Sequence, residues 1–281
     1  MNNLIIQNKI DLNTIEISFD QTHHIHDGNP LYQYRFDNVM SFHSPGIAAV
    51  KNKEEAFHIN LEGKAIYEQR FHRVFGFYNG LAAVYDDSGW YHIDLSGKSI
   101  YNEQYKWVGN FQEALCPVQL ENGYYKHIRK DGTFVYNETY KYVGDYKYGI
   151  AVVWQENGKA RHINKMGKFV YENEFDELGV FHKGYATAKD DRGAFHIDKQ
   201  GVPVYSERYK WVEPFYNGQA VVSKHNNELL IINKQGEQIC QIYDQAAKRV
   251  QISLKYQLMG KLVGYWNTQI LRSIVELNVL E

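Results

Sequence analysis

Hydrophobic and polar residues alternate over short stretches of this chain, and small polar turns separate the stretches. The clearest pair is AAVYDD (82–87) and WYHID (90–94), which are joined through the sequence DSG. Glycine adopts positive φ without strain, so such a turn between two alternating stretches predicts a β-hairpin. Within WYHID, the alternation predicts that Tyr91 and Ile93 face the core, whereas Trp90, His92 and Asp94 share the other face.

The same pattern recurs along most of the chain at a nearly constant spacing. A glycine marks each copy, and successive marker glycines are 34 or 35 residues apart. These glycines are Gly28, Gly63, Gly97, Gly132, Gly167, Gly201 and Gly236. The first copy is degenerate and the last is truncated, which gives six to seven copies of three or four short strands. One copy cannot bury its aromatic residues alone, so the copies must stack on one another.

The repeat predicts an all-β domain over residues 1–245, and two arrangements of the copies satisfy the stacking. In a β-propeller-like ring, the incomplete first and last copies complement each other and close the sheet edges. The alternative is an open solenoid of β-hairpins. The short period counts against the ring, because propeller blades usually need about 40 residues or more. The partial copies at both ends nevertheless favour the ring, and we expect it to be followed by a helical segment over 246–281.

A histidine precedes five of the marker glycines, and a polar residue follows that histidine two positions later. The histidines are His58, His92, His127, His162 and His196, and the polar residues are Asn60, Asp94, Arg129, Asn164 and Asp198. In a ring, imidazoles beside carboxylates could bind a metal or an anionic ligand. The alternative, which we favour, is that each histidine is a structural hydrogen-bond donor to the next copy.

A second candidate surface is a column of aromatic residues that each follow a lysine. It contains Trp107, Tyr142 and Trp211, and an exposed stripe there would form a binding face. The predicted ligand-binding residues are therefore His58, His92, His127, His162, His196, Asp94, Asp198, Trp107 and Trp211. The chain has no His-x-x-x-His or Cys-x-x-Cys spacing and no recognisable nucleophile with its base, so we predict no metal site and no catalytic residue.

The copies resemble the WG-type β repeats of bacterial proteins, over about residues 20 to 245. The segments WYHIDLSG (90–97) and FYNGLAAV (77–84) carry the resemblance. The copies differ from the family pattern at the same two positions. The second-position glycine of the family is replaced by an aromatic residue (Tyr91, Phe57 or Phe195), and its next aromatic residue is replaced by histidine. Members of this family are mostly of unknown function, so the resemblance implies a fold and not an activity.

The last 26 residues leave the repeat pattern and show helical periodicity. They predict either a helix that caps the last repeat or the start of another domain. The segment GYWNTQILRSIVELNVLE resembles the opening helices of small-molecule O-methyltransferases, through Gly264, Tyr265, Trp266, Gln269, Leu271, Glu276 and Leu277. That resemblance implies a homodimer through residues 256–281 and an S-adenosylmethionine site downstream of this chain.

Composition narrows the classes of partner. The net charge is −2 and no basic stripe occurs, which excludes nucleic acid as an expected partner. The two cysteines, Cys116 and Cys240, occupy core positions of the repeat and predict buried, inert thiols. The N-terminal sequence lacks signal-peptide features, and no apolar stretch has membrane-spanning length, so a cytoplasmic protein is expected.

These patterns together predict a non-catalytic binding or scaffolding module. Through the tail, the resemblance implies that the module belongs to, or acts with, an S-adenosylmethionine-dependent methyltransferase of bacterial secondary metabolism. The alternative is a stand-alone protein that binds a protein or a small-molecule ligand, including a carbohydrate. A metal-dependent enzyme that uses the histidines is the third hypothesis.

Overall fold

The computed structural model describes residues 10–242, and it is built from short β-strands and turns. Contacts divide the described chain into two units. Unit 1 comprises residues 10–156 and 164–168, and unit 2 comprises residues 157–163 and 169–242. Within residues 10–242 there is no α-helix, and the one helical element is the 3₁₀ turn Leu12–Thr14.

Unit 1 contains fourteen strands, most of which are two to five residues long. They are β1 (Ile15–Ile17), β2 (His24–His26), β3 (Asn29–Pro30), β4 (Asn38–Val39), β5 (Ala48–Asn52), β6 (Glu55–Ile59), β7 (Arg73–Val74), β8 (Ala82–Asp86), β9 (Gly89–Ile93), β10 (Trp107–Val108), β11 (Leu115–Gln119), β12 (Tyr125–Arg129), β13 (Tyr142–Val143) and β14 (Ile150–Trp154). The first twelve form four antiparallel sheets of three consecutive strands, and β13 pairs with β14.

Unit 2 continues the same construction. Its strands are β15 (Ala160–Asn164, whose last residue falls in unit 1), β16 (Glu177–Leu178), β17 (Ala186–Asp190), β18 (Gly193–Ile197), β19 (Trp211–Val212), β20 (Gln219–Ser223), β21 (Leu229–Asn233) and β22 (Gln238–Ile242). Strands β16 to β18 form a three-stranded sheet, and β19 to β22 form a four-stranded sheet.

The predicted hairpin is present and defines the register of each sheet. Strand β8 pairs with β9 from Ala82 opposite Ile93 to Asp86 opposite Gly89. The carboxylate of Asp86 accepts a hydrogen bond from the backbone N–H of Ser88 at 2.8 Å, which stabilises the turn. The two-residue strand β7 completes the sheet through Val74 opposite Val84.

The predicted β-propeller-like ring is wrong, because the sheets are small and each consists of consecutive strands. The degenerate first copy has its own sheet, in which β1 pairs with β2. In the truncated last copy, β22 covers the edge of β21 from Leu229 opposite Ile242 onward. The end copies therefore complete their own edges, and within residues 10–242 no sheet combines strands of the first and last copies. The predicted C-terminal helix over 246–281 lies outside the described residues.

The marker glycines pack each copy on the one before it. Gly97 has a φ of +79°, and a Cβ there would lie 2.7 Å from Cγ of Tyr67 in the preceding copy. Gly63, Gly132, Gly167, Gly201 and Gly236 meet the equivalent tyrosine in the same way. Gly28 has no preceding copy, and nothing lies within 4 Å of its Cβ position. The repeat glycine therefore serves both a left-handed turn and a close contact between copies.

Candidate functional site

The recurring histidines lie in the protein interior, and each joins two parts of the fold. His92 on β9 is 1% exposed. Its Nδ1 is 2.6 Å from the hydroxyl of Tyr101, and its Nε2 is 2.9 Å from the carbonyl oxygen of Gly109, which directly follows β10. The ring also packs on Phe111 at a centroid distance of 4.8 Å. One imidazole thus ties the last strand of one sheet to the first strand of the next.

Six histidines share this geometry, and we call them the linking histidines. They are His24, His58, His92, His127, His162 and His196, bonded to Tyr32, Tyr67, Tyr101, Tyr136, Tyr171 and Tyr205. Their Nε2–carbonyl distances are 2.7–3.0 Å. A carbonyl oxygen can only accept, so Nε2 carries the proton and Nδ1 accepts from the tyrosine hydroxyl. His24 was not among the predicted site residues because its copy is one residue short before the glycine.

Burial favours the neutral form of these rings. It lowers the pKa of His58, His92, His127, His162 and His196 to about 4, and the hydrogen bond to the backbone carbonyl opposes this effect without cancelling it. The tyrosine partners respond in the opposite direction, since burial raises the pKa of the Tyr32 hydroxyl to about 12. Each link is therefore a neutral hydrogen-bonded pair, and a ligand would have to displace the tyrosine or the carbonyl to reach the imidazole.

The sequence alternation placed His92 incorrectly. Both His92 and Ile93 are buried, and in β8 the consecutive residues Ala82, Ala83 and Val84 are buried as well. Both faces of β8 are covered at this end, because Ala82 and Val84 belong to one buried hydrophobic cluster and Ala83 belongs to another. Alternation alone therefore does not separate an inner from an outer face here.

The two carboxylates predicted as ligand-binding groups, Asp94 and Asp198, instead accept hydrogen bonds within turns. Oδ1 of Asp94 accepts hydrogen bonds from the backbone N–H groups of Ser96 at 2.8 Å and Lys98 at 3.2 Å. Asp198 does the same for Gln200 and Val202, both at 2.9 Å. These interactions stabilise the turn that ends in the marker glycine.

The two predicted tryptophans lie in different units. Trp107 on β10 belongs to unit 1 and is 39% exposed, whereas Trp211 on β19 belongs to unit 2 and is partly buried. Around Trp107, Tyr125 and Tyr142 continue a row of edge-to-face rings with centroid distances of 6.2 and 5.7 Å. The nine residues predicted from the sequence are therefore distributed over both units.

The structure instead shows a cleft of about 660 Å³ within unit 1, which we call the unit 1 cleft. Three solvent-exposed rings line it, namely Phe75 (48% exposed), Tyr78 (42%) and Trp107. The polar lining includes the amides of Asn79 and Asn110, together with His43, Ser44 and Asp145.

Asp145 is the only carboxylate among the lining residues, and no Lys or Arg lines the cleft. Partial burial of its carboxyl raises its pKa above the ordinary value for Asp, although the residue as a whole remains exposed to solvent. Sequence reasoning missed Asp145, Phe75 and Tyr78. Differences between the copies could have indicated the cleft. The position of Asp145, for example, is occupied in other copies by Gly76, Asn110, Val180 and Pro214.

Three further findings concern residues 10–242. No group of His, Cys, Asp and Glu in this range has an arrangement that could hold a metal ion. The same range also contains no helix of the length and apolar character needed to cross a bilayer. Cys116 is fully buried and Cys240 is partly buried, and neither forms a disulfide.

The fold and the recurring residues of the repeat define an all-β repeat protein. Four segments match the family model of the WG containing repeat, at residues 59–90, 93–125, 163–192 and 197–227. The resemblance to WG-type repeats is therefore confirmed over these segments, which run from the last residue of β6 to the first residue of β12 and from the end of β15 to the turn before β21. A search of curated proteins found no match.

Several solved structures are similar at low identity. The computationally designed Ika8 protein is 13% identical, with a TM-score of 0.46 and coverage of 81% of this chain and 83% of that chain. BamB from Moraxella catarrhalis is 12% identical, with a TM-score of 0.43 and coverage of 83% and 86%. The WD40 beta propeller domain of Doa1 is 13% identical, with a TM-score of 0.34 and coverage of 83% and 90%. At these TM-scores the likenesses carry no argument about this chain.

Proposed function

We propose that this chain is a non-catalytic binding module and that the unit 1 cleft is its ligand site. The observation that carries the proposal is the group of three exposed rings, Phe75, Tyr78 and Trp107, around one concave surface. Ligand sites are typically clefts of about 300–1,000 Å³ with an apolar lining and a few polar groups. Large rings left in water also favour an occupant that covers them.

The state of the titratable groups supports binding over catalysis. A general base needs a lone pair within reach of a substrate, and the linking histidines already use both nitrogens within the protein. The thiol of Cys116 is fully buried, and burial raises its pKa far above the ordinary value, which disfavours the nucleophilic thiolate. The repeated polar groups therefore contribute to the fold, and the residues specific to one copy supply the cleft.

A carbohydrate is a second ligand class, for a surface that extends from the cleft through Trp107. The row formed by Trp107, Tyr125 and Tyr142 offers several adjacent rings, on which the apolar faces of successive sugar units could stack. Amides such as those of Asn79 and Asn110 would then bond the sugar hydroxyls. A protein partner that inserts a side chain into the cleft would use the same residues.

Thermal unfolding with a panel of small ligands tests the proposal. The panel contains neutral sugars, organic ammonium salts, amino acids and organic acids. A ligand that binds only the folded state raises its stability by about 2.7 kcal/mol at one hundred times its Kd. We expect at least one class to raise Tm in the wild type and not in Trp107→Ala. The matched variant Trp211→Ala, in the equivalent column of unit 2, should keep the shift.

Two results would contradict the proposed function. One is that no class of ligand changes Tm in the wild type. The other is that the shift survives Trp107→Ala unchanged, because the ligand would then bind away from the unit 1 cleft.

The methyltransferase part of the hypothesis depends on residues 264–281, which lie outside the described residues. It is supported by the resemblance of that segment alone, and it stays a prediction together with the homodimer and S-adenosylmethionine. Sedimentation of the full chain and of a variant lacking residues 256–281 separates the possibilities. A dimer that becomes a monomer on deletion would support the dimerisation segment, and an unchanged mass would count against it.

A further inference from the structure

We infer that the unit 1 cleft takes the cationic head group of a small organic ammonium compound. This inference rests on the proposed function, and it adds the chemical class of the ligand. The cleft is lined by one carboxylate, three exposed rings and two amides, with no lysine or arginine among the lining residues. Charge complementarity therefore favours a cation over an anion.

The carboxylate is free to pair with a ligand. Within residues 10–242, Asp145 has neither a salt bridge nor a hydrogen bond to another residue, and it is the only carboxylate in the lining. Some other carboxylates of unit 1 are paired, such as Glu113 with Lys165 at 2.9 Å. Its surroundings disfavour the ionised form, so a bound positive charge would stabilise that form.

The exposed rings suit the same charge. A cation over the face of Trp, Tyr or Phe is attracted by the ring quadrupole, and the attraction grows when both are partly removed from water. Phe75 stacks one face on Trp90 at a centroid distance of 5.5 Å and an angle of 24°, which holds that ring in position beside the cleft. Trp107 is similarly held edge-to-face by Tyr125.

The site is a property of particular copies and not of the repeat. The position of Asp145 is occupied by Val180 and Pro214 in unit 2, and Phe75 replaces the glycine found at Gly109 and Gly144. Residues that only maintain the repeat would be expected in every copy, as the linking histidines are. The unusual residues of unit 1 lie together in one cleft, which is the arrangement expected of a binding site.

The test is a titration of the full-length protein with tetramethylammonium chloride, followed through the indole N–H signal of Trp107 in ¹H–¹⁵N spectra. The signal is assigned by its loss in Trp107→Phe. The buffer is held at pH 7.5, and NaCl keeps the ionic strength constant. The neutral probes are tert-butanol, which has nearly the same shape, and D-glucose.

We expect a saturable shift with tetramethylammonium and none with tert-butanol. Asp145→Asn should weaken binding by about fivefold or more, because it removes the charge and keeps the shape. The matched variant Glu121→Gln, which removes an exposed carboxylate of the same unit outside the cleft, should bind as the wild type does.

Equal shifts with tert-butanol, or unchanged binding in Asp145→Asn, would overturn the inference. A Trp107 shift with D-glucose alone would also overturn it, and the proposed function would stand with a carbohydrate as the ligand. If no probe shifts Trp107 and no panel ligand gives a Trp107-dependent change in Tm, both the inference and the proposed function fail.

Discussion

Each linking histidine engages both ring nitrogens with the protein, and this arrangement recurs from copy to copy. In His127 the partners are the Tyr136 hydroxyl at 2.7 Å and the Gly144 carbonyl at 2.9 Å. An unpaired polar group at such a buried position would cost about 1 to 3 kcal/mol. The tyrosine hydroxyl therefore matters to stability even though a net hydrogen bond contributes little.

Removing one hydroxyl tests that statement. Tyr101→Phe leaves Nδ1 of His92 without its donor, and we expect the free energy of unfolding to fall by about 1 to 3 kcal/mol. Tyr85→Phe removes a hydroxyl from a partly exposed ring of the same sheet and should change it by less than about 0.5 kcal/mol. Urea unfolding measures both, and equal effects of the two variants would contradict the assigned role.

The lowered pKa of the linking histidines predicts a dependence of stability on pH. The unfolded chain binds protons near the ordinary pKa of 6.5, whereas five of the folded rings bind them only near pH 4. The unfolded state thus holds more protons below pH 6.5, and stability falls as the pH falls. Between pH 7 and pH 5 each of the five should lower the free energy of unfolding by roughly 2 kcal/mol.

Unfolding midpoints measured from pH 7 to pH 5 check this prediction, above the range in which most carboxylates titrate. A stability that is constant from pH 7 to pH 5 would mean that the linking histidines are not buried in the neutral form.

At the scale of the elements, the hairpins and the repeat period could be predicted from turn chemistry and glycine spacing. The burial of His92 could not, because Ala82, Ala83 and Val84 are buried in succession and the strand has no single inner face. The prediction of a ring was wrong, because the pattern of a strand does not show which sheet edge that strand will pair with. In the structure β22 pairs with β21, at the edge of its own sheet. The cleft could not be predicted from the columns that the copies share, because Asp145 and Phe75 are exceptions to those columns.

A comparison of the marker glycine Gly97 with Gly123, a turn glycine outside the marker column, separates the effect of backbone conformation from that of packing. Gly123 has a φ of +85° with nothing within 4 Å of its Cβ position, so Gly123→Ala should cost only the strain of positive φ, about 1 to 2 kcal/mol. Gly97→Ala adds a collision with the ring of Tyr67, and we expect it to cost at least about 1 kcal/mol more. Thermal or urea unfolding gives both values, and equal costs would show that the glycine does not hold the copies together.

On the scale of the whole molecule, the two units share the repeat and differ in their surface residues. Unit 1 carries Trp90 and Tyr125 at a position where unit 2 has Ala160 and Ala194, whereas the column of Trp107 contains both Glu177 and Trp211 in unit 2. The shared residues maintain the fold, and the unit 1 residues form the cleft. Our central claim is this division of roles: the linking histidines are structural, and the ligand that we propose binds in the unit 1 cleft without contacting them.

The most direct test of that claim is a long-range ¹H–¹⁵N spectrum of the imidazoles at pH 5.5, recorded before and after addition of a ligand found in the thermal panel. The account predicts five neutral rings protonated on Nε2, from His58, His92, His127, His162 and His196, whose signals do not change when the ligand binds. Double protonation of any of these five rings at this pH would contradict the account. So would signals of these imidazoles that shift with the ligand while the indole signal of Trp107 stays unchanged.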